Sequence, residues 1–313
     1  MRKILLSGLF IGSSLFANDG MLLTDILGVP LKEKNQTKIN YTKKAPIPIK
    51  KAFYNILPYT GLLKYSGTTT KDSGYVVGLY FSDFESPWKT ELDIEHSGIK
   101  YKDSTPNLNQ SDFSIAVNHF KGYNLAYKYG FHYISSSDEL TDSGKIFTFE
   151  ALYYKTLKYN YGVDIYYSHY SNLDTSPTIA QISPKAGFNF GDYYSPIGSF
   201  YIEAKFDYIK PLKNKRINNL ENVYSSTQIT LNNYNGKFTT TLSIWGGKRS
   251  FEVANSGFVV NNLSDTQTSG VKISESYKID TKSSTKFEYS NTNFDENGKA
   301  QGKVFLVSYS YNF

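Results

Sequence analysis

Apolar and polar residues alternate at every second position along most of this 313-residue chain. The segment Ser199–Ile209 is typical: its even positions are apolar or aromatic, and its odd positions include Tyr201, Glu203, Lys205 and Asp207. Successive side chains of a strand point to opposite faces, so each such segment predicts a β-strand with one apolar and one polar face. The repeated alternation therefore predicts an all-β fold.

Fourteen segments of this kind follow one another up to the last residue. Most are about 10–13 residues long, close to the length with which a tilted strand crosses a bilayer. Pro177, Pro184 and Pro196 weaken the strands expected between residues 173 and 200, because proline cannot donate to a ladder, and they leave twelve or sixteen strands as alternatives. The predicted strands are 58–67, 74–84, 88–101, 111–121, 123–135, 144–155, 158–170, 177–190, 197–209, 222–233, 236–247, 267–280, 282–293 and 301–313.

The connections between these strands alternate in length. Short turns are expected at 85–87, 122, 157, 234–235 and 280–281, and longer polar loops at 102–110, 136–143, 171–176, 210–221, 249–265 and 294–300. Short turns at one end and long loops at the other are typical of a barrel in a membrane, and an even strand count places both barrel ends on the short-turn side. The sequence thus predicts a transmembrane antiparallel up-and-down β-barrel of about 14 strands.

The composition favours a barrel over other exported folds. Tyr 28 and Phe 21 combine with a mean hydropathy of −0.42, and no apolar run long enough for a membrane helix follows residue 17. A soluble β-sandwich, the main alternative, would bury a core richer in Val, Ile and Leu. Without cysteine the chain forms no disulfide, and removal of Arg2 and Lys3 would lower the net charge from +6 to +4. We expect no nucleic-acid partner for such an exported, mildly basic protein.

The amino terminus predicts a secretory signal peptide over residues 1–17. Arg2 and Lys3 precede an apolar stretch, and small residues precede a cleavage site after Ala17. Residues 18–57 are polar and basic, with lysines around Pro46 and Pro48, and are expected to be a periplasmic tail or a plug in the barrel. The barrel itself is expected over residues 58–313.

The last eleven residues, KVFLVSYSYNF, resemble the closing strand of Gram-negative outer-membrane β-barrels. In that family the terminal strand has alternating aromatics and a final Phe, which the barrel assembly machinery recognises; Tyr309, Tyr311 and Phe313 match this assembly signal. The resemblance implies an outer-membrane location, contact with membrane lipid and lipopolysaccharide, and barrel termini on the periplasmic side. The strand count is similar to that of OmpG-type porins and FadL-type transporters, and no motif selects between them.

If the apolar faces contact lipid, the opposite faces line the interior. Positive and negative residues are balanced there, so the prediction is a channel for passive diffusion of small polar solutes without strong ion selectivity. Neither the solute nor a choice between monomer and homo-oligomer follows from the sequence, and no cofactor is expected. The predicted pore-lining residues are Lys89, Glu91, Asp93, Glu95, Lys128, His132, Glu150, Asp164, Lys185, Glu203, Lys205, Asp207, Lys237, Lys272, Lys286 and Glu288, with Lys278 at a strand end.

Two other functions remain open. A scaffold or adhesin barrel would use the loop Arg249–Asp265 as its binding loop. His169 and Ser171, in the stretch SHYSN, resemble the base and nucleophile of outer-membrane phospholipases and lipid A deacylases, but Leu173 departs from that motif and no third member follows. His96 and His119 lie on separate strands from His132, so no metal-binding spacing is present.

Overall fold

A computed structural model describes residues 53–102, 106–122, 124–155, 158–170, 177–213, 220–261, 265–296 and 298–313. In these ranges fourteen long strands close into a barrel, and two short strands form a separate hairpin. The long strands are β1 (Phe53–Ser66), β2 (Lys71–Glu85), β3 (Trp88–Tyr101), β4 (Leu108–Lys121), β5 (Leu125–Ser136), β6 (Lys145–Lys155), β7 (Tyr159–His169), β8 (Thr178–Gly191), β9 (Ser199–Lys213), β10 (Tyr224–Asn235), β11 (Phe238–Arg249), β14 (Thr266–Lys278), β15 (Ser283–Asp295) and β16 (Lys299–Asn312). The hairpin consists of β12 (Val253–Ala254), a 3₁₀ turn (Asn255–Gly257) and β13 (Val259–Val260).

Each long strand pairs antiparallel with the long strand before and after it, and β16 returns to pair with β1. This arrangement confirms the predicted up-and-down barrel of fourteen strands and decides against twelve or sixteen within the described ranges. All fourteen predicted segments correspond to strands. The first strand is longer than predicted: β1 begins at Phe53, whereas the predicted strand begins at residue 58. Residues 1–52, including the predicted signal peptide, lie outside the described ranges.

Prolines are accommodated by local gaps in the ladder. Pro184 lies inside β8, and the pairing of β8 with β9 skips from Ile182 to Lys185. Pro58 lies inside β1, and the pairing of β1 with β16 likewise skips from Ile56 to Tyr59. Proline has no N–H to donate, so the ladder opens on one side of it and continues beyond. The prolines therefore interrupt single hydrogen bonds without ending their strands.

The outer face of the barrel is an apolar belt with aromatic residues in cross-strand contact. Phe131 and Phe147 lie 5.4 Å apart between ring centroids, and Phe190 stacks on Phe200 at 5.2 Å. Such neighbouring aromatic pairs stabilise a sheet face. The aromatic residues on the face predicted to contact lipid are exposed; they include Trp88, Tyr167, Tyr309, Tyr311 and Phe313. Within the described ranges, no helix is long and apolar enough to cross a membrane.

The two ends of the barrel differ in the predicted sense, with two exceptions. Residues 296–298 alone join β15 to β16, where a longer loop was expected at 294–300, and residues 192–198 join β8 to β9 at the short-turn end. One end carries the short turns, such as residues 86–87 and 236–237, and the other carries loops of up to the sixteen residues from 250 to 265. Both the start of β1 and the carboxyl terminus lie at the short-turn end. There the Phe313 N–H donates to the Tyr54 carbonyl at 3.0 Å, the Tyr54 N–H donates back at 3.2 Å, and the two rings stack at 5.7 Å. The last residue is therefore part of the barrel closure.

The inward parity of β1 is apolar, unlike that of most strands. Leu57, Tyr59, Leu63 and Tyr65 face the interior and belong to a buried cluster that also contains Leu306 of β16. Their carbon surfaces pack in this cluster and are removed from water as a core would be, while the Tyr59 hydroxyl reaches acidic residues of β3. The interior of this barrel thus has an apolar sector at its closing seam beside a charged sector.

Leu306 and Phe305, which are neighbours in β16, test which side chains of this strand face the interior. Leu306 is 0% exposed inside the seam cluster, whereas Phe305 points outward and is 50% exposed. We expect Leu306→Ala to lower the free energy of unfolding by about 2–5 kcal/mol, because it leaves a cavity in packed surroundings. Phe305→Ala should cost much less, since micelle detergent fills the vacated space. Urea unfolding in micelles followed by circular dichroism measures both, and equal losses would contradict the assigned orientation.

Candidate functional site

The interior of the barrel collects most of the residues predicted to line a pore. The predicted residues on β3 to β9 and on β14 and β15 point inward and are buried or half-buried; the exceptions lie at the rim. Lys237 lies in the turn between β10 and β11, where its Nζ donates to the Ile279 carbonyl at 3.3 Å, and Lys278 is exposed at the end of β14. The inward set is Lys89, Glu91, Asp93, Glu95, Lys128, His132, Glu150, Asp164, Lys185, Glu203, Lys205, Asp207, Lys272, Lys286 and Glu288.

Glu91 is the centre of a first ionic cluster. Lys89 of the same strand and Lys128 of β5 approach its carboxylate at 3.0 and 2.9 Å. Tyr80 and Asn118 donate further hydrogen bonds to it at 2.6 and 2.5 Å. A buried carboxylate with two cations and two neutral donors has its charge compensated, which burial of an ion requires.

Two more acidic residues follow Glu91 along the inward face of β3. The Tyr59 hydroxyl lies between them, 3.2 Å from Asp93 and 2.8 Å from Glu95. His132 of β5 contacts two residues of β4. Its Nε2 lies 2.9 Å from the Asp112 carboxylate, and its Nδ1 lies 2.7 Å from the Ser114 hydroxyl. These contacts form an acidic stripe along β3 and β4.

A second ionic cluster adjoins the first, because Glu150 of β6 lies directly opposite Lys128 of β5 in the register. Lys185 of β8 bridges Glu150 of β6 at 2.7 Å and Asp164 of β7 at 2.9 Å. These three residues are inward neighbours on strands that follow one another around the wall, with Glu150 directly opposite Asp164 in the register. The lysine therefore stabilises two carboxylates that would otherwise repel each other.

Arg249, at the end of β11, organises a third cluster. Its guanidinium lies 3.2 Å from Asp207 and 3.0 Å from Glu252, and it stacks over the Trp245 ring at 4.1 Å. Asp207 also pairs with Lys205 at 3.1 Å. Arginine suits this position because its planar group can stack and pair with two acids at once. The cluster anchors the chain where it leaves the wall.

The loop after β11 folds into the barrel. We call residues 250–261 the inserted loop; it contains the hairpin of β12 and β13. Phe251, Val253, Phe258, Val259 and Val260 are all buried. Loops at a barrel end that face water would not carry such a series of buried apolar residues. Residues 250–261 of the predicted binding loop Arg249–Asp265 therefore lie inside the barrel, because their apolar side chains are buried there.

Backbone and side-chain contacts hold the inserted loop to the wall. The Gln181 side chain makes a pair of hydrogen bonds with the Val253 backbone, both at 2.8 Å, and the Ser256 hydroxyl donates to Glu150 at 2.8 Å. Gly257 has φ +94°, and a Cβ there would lie 2.2 Å from the Thr148 hydroxyl, so only glycine fits. The loop is thus fitted to β6 and β8 on one side of the interior.

The far end of the inserted loop is also held by charge. The buried Lys71 of β2 forms ion pairs with Asp265, where the loop rejoins the wall, and with Glu296 at 3.7 Å. The Phe258 ring at the loop tip packs against Tyr80 and beneath the Lys128 ammonium, 5.1 Å from the ring centroid. The loop therefore spans the interior from the Arg249 cluster toward the acidic stripe.

Sequence reasoning missed several members of this site. Arg249 and Glu252 belong to the predicted binding loop and not to the predicted pore lining, and the predicted lining also lacks Tyr59 and Asp112. The alternation on β4 could have placed Asp112, because it has the parity opposite to Phe113. Nothing in the local sequence places Glu252, whose partner Arg249 belongs to the wall.

The residues considered for other chemistry are not brought together. His169 is exposed, with Nδ1 3.2 Å from the Thr178 hydroxyl, and Ser171 lies outside the described ranges. Among the described residues, no group of three His, Cys, Asp or Glu side chains could hold a metal ion.

Comparison with known proteins supports the fold. No protein-family model matches the chain, and no curated protein matches its sequence. The toluene transporter TbuX of Ralstonia pickettii superimposes with a TM-score of 0.54 at 10% identity, covering 84% of this chain and 90% of TbuX. A bacterial polysaccharide outer membrane secretin gives 0.53 at 8% identity, covering 83% of this chain and 98% of the secretin. The chain has the fold of an outer-membrane β-barrel.

Arg249 and its neighbour Lys248 offer a matched test of the interior network. Arg249→Met leaves Asp207 and Glu252 without their shared cation, so we expect a loss of about 3–5 kcal/mol in the free energy of unfolding. It should also increase protease cleavage within the inserted loop. Lys248 is exposed and pairs with Glu221 at 2.5 Å, so Lys248→Met should change little. Denaturant unfolding and limited proteolysis report both effects; equal behaviour of the two variants would refute the anchoring role.

Proposed function

We propose that this protein is an outer-membrane channel for passive diffusion of small polar solutes, and that the inserted loop forms its constriction. The observation that carries the proposal is the division between the two faces of one closed wall. The outer face is an apolar belt, whereas the inner face carries charged, hydroxyl and amide side chains. Such a wall presents lipid-compatible groups outside and solute-compatible groups inside.

The charges of the interior favour neutral or zwitterionic solutes over one ion type. On β6 to β8 a lysine pairs with two carboxylates, as with Lys185 between Glu150 and Asp164, whereas the acidic stripe on β3 and β4 contacts Tyr59 and His132. Paired charges leave little net potential along a path, so strong ion selectivity is not expected. A solute with its own donors and acceptors can exchange hydrogen bonds with these groups as it passes.

The inserted loop determines the width of the path. Glu91, Asp93 and Asp207 are at most 3% exposed, which indicates a tightly filled interior at their level. The loop tip at Phe258 lies beside this filled region. Passage therefore depends on displacement or rearrangement of the loop, and the Arg249 and Lys71 ion pairs at its two ends resist that movement.

A conductance experiment tests the channel and its constriction together. The purified full-length protein is inserted into planar bilayers, and a variant has residues 253–260 replaced by a short Gly-Ser linker. We expect the variant to show open steps several times larger than those of the parent, because the linker cannot pack against the wall. Lys248→Met is the control and should match the parent.

The outcomes separate the proposed function from its alternatives. Unchanged conductance in the linker variant would remove the constriction role and leave the channel. Silent but folded barrels from both proteins would favour a scaffold. For an adhesin, residues 250–261 of the expected binding loop would have to leave the barrel interior before they could meet a partner. A Ser171→Ala variant tests phospholipid hydrolysis, and unchanged hydrolysis or none in the parent would end that alternative.

The orientation proposed for the chain follows from the same architecture. Both barrel termini lie at the short-turn end, and outer-membrane barrels keep short turns on the periplasmic side. We therefore place the long loops outside the cell and the Phe313 assembly signal at the periplasmic rim. Lipid and lipopolysaccharide would contact the apolar belt, and the barrel assembly machinery would engage β16.

A further inference from the structure

A serine and a histidine share a hydrogen bond on the outer face of the wall. Ser111 of β4 lies directly opposite His96 of β3 in the register, and both side chains are exposed. His96 Nδ1 lies 3.0 Å from the Ser111 hydroxyl. A serine in this position can become a nucleophile, because the ring nitrogen can take its proton. The pair is separate from the charged interior, since it has the outward parity of Ile94 and Phe113.

The other ring nitrogen of His96 also has a partner. Its Nε2 lies 3.3 Å from the Tyr75 hydroxyl of β2, and the two rings are 6.0 Å apart between centroids. Tyr75 lies opposite Gly98, where a Cβ would be 2.7 Å from its ring, so the glycine leaves room for the ring beside His96. When Nε2–H donates to the Tyr75 hydroxyl, Nδ1 carries the lone pair and accepts from Ser111. Tyr75 thus favours the tautomer that a base requires.

An apolar groove begins beside these three residues and crosses the closing seam of the barrel. It has a volume of 710 Å³; Tyr75 and Asn109 line it at one end, and Leu62, Phe305 and Tyr289 line it toward β15. A groove with such a lining suits an acyl chain, whose burial there removes apolar surface from water. Because Tyr75 belongs to both the groove and the His96 contact, a chain bound in the groove ends next to Ser111.

Water can reach the pair because it lies close to the long-loop end of the wall. There β3 ends at Tyr101 and β4 begins at Leu108. The outward positions between the pair and these strand ends hold Gly98, Lys100 and Asn109, of which the last two are exposed and polar. Hydrolysis consumes a water molecule, so a site at this border of the apolar belt suits it better than one at the centre.

Ser114 and His132 form a second serine–histidine contact inside the wall, but their surroundings oppose the same chemistry. Asp112 contacts that histidine at 2.9 Å, and Asp93 lies directly opposite Ser114 in the register. Attack on an ester places negative charge on the carbonyl oxygen, which these carboxylates would repel. On the outer face Asn109, one outward position before the nucleophile, instead carries an amide that can donate to this oxygen.

We propose that Ser111 and His96 hydrolyse carboxylic esters that carry a long acyl chain. The Ser111 oxygen attacks the ester carbonyl carbon while its proton passes to His96 Nδ1. The imidazolium gives this proton to the alkoxide oxygen that leaves as an alcohol, and the acyl group stays on Ser111. Water then loses a proton to His96 and attacks the acyl carbon; the fatty acid departs, and the proton returns to the Ser111 oxygen.

Two ester probes test the proposal on the full-length protein in detergent micelles. They are p-nitrophenyl palmitate and phosphatidylcholine, which separate a free ester from a membrane lipid as the source of the acyl chain. We expect Ser111→Ala and His96→Gln each to lower kcat by at least about a hundredfold, because each removes a group that takes part in both steps. An alkyl fluorophosphonate should label Ser111, as mapped by mass spectrometry of the digested protein.

Matched controls change the same residue types elsewhere on the outer face. Ser225 is exposed on β10, and His119 of β4 stacks on Trp88 at 4.2 Å near the short-turn end. Ser225→Ala and His119→Gln should hydrolyse both probes like the parent. Circular dichroism confirms that each variant is folded.

Tyr75 is a positioning residue, and its variant separates orientation from substrate binding. Tyr75→Phe removes the hydroxyl that faces Nε2 and keeps the ring that lines the groove. We expect kcat to fall by about tenfold with little change in KM, since the acyl chain keeps its contacts. A rise in KM with an unchanged kcat would contradict the positioning role.

Three results would overturn the proposal. The first is a folded parent that hydrolyses neither probe, and the second is hydrolysis that persists in Ser111→Ala. The third is labelling by the fluorophosphonate at a serine other than Ser111. Hydrolysis of phosphatidylcholine would identify a membrane lipid as the substrate, whereas hydrolysis of the palmitate ester alone would identify a free ester. Because the readout is hydrolysis, its outcome is independent of whether the barrel conducts.

Discussion

The backbone ladder between β1 and β16 is the interaction on which the rest of the structure depends. In apolar surroundings each unpaired N–H or C=O group costs several kcal/mol, so a sheet there must leave no edge. The ladder joins the two ends of the described sheet, from Asn55 opposite Asn312 to Ser66 opposite Gln301. The rings of Tyr54 and Phe313 stack on each other where this ladder ends, at the short-turn end of the barrel. With closure complete, the outer face can be apolar without exposing polar backbone.

Closure of the barrel also explains why charged side chains inside it share contacts. Polar side chains excluded from the outer face accumulate inside a narrow tube, where the effective dielectric constant is lower than in water and unpaired charges are costly. The result is a set of shared contacts such as Lys185 with two carboxylates and Arg249 with two others. The inserted loop is part of this network at both ends, so its position and the ionic clusters stabilise each other.

Much of the fold could be predicted because the governing signal is local. A period of two reports which residues share a face, and turn residues report where a strand ends, so the fourteen described strands and their order were accessible. Most connection lengths were accessible too, but the connection between β15 and β16 is shorter than the loop expected at 294–300. The inward positions of Glu91, Asp164 and Lys185 followed from the same parity. The partners of these residues did not, because the parity of one strand carries no information about the register of the next. Lys237 shows the limit of parity near a strand end, since it lies in an exposed turn.

The sequence by itself determined the closed barrel, the apolar outer face and the aromatic closing strand, since alternation and strand count depend only on neighbouring residues. The tertiary structure alone decided that residues 250–261 turn inward. It also decided that the seam of β1 and β16 is apolar on its inner side. The physical reason is that each of these features depends on residues far apart in sequence. Their burial and pairing energies exist only once the wall has closed.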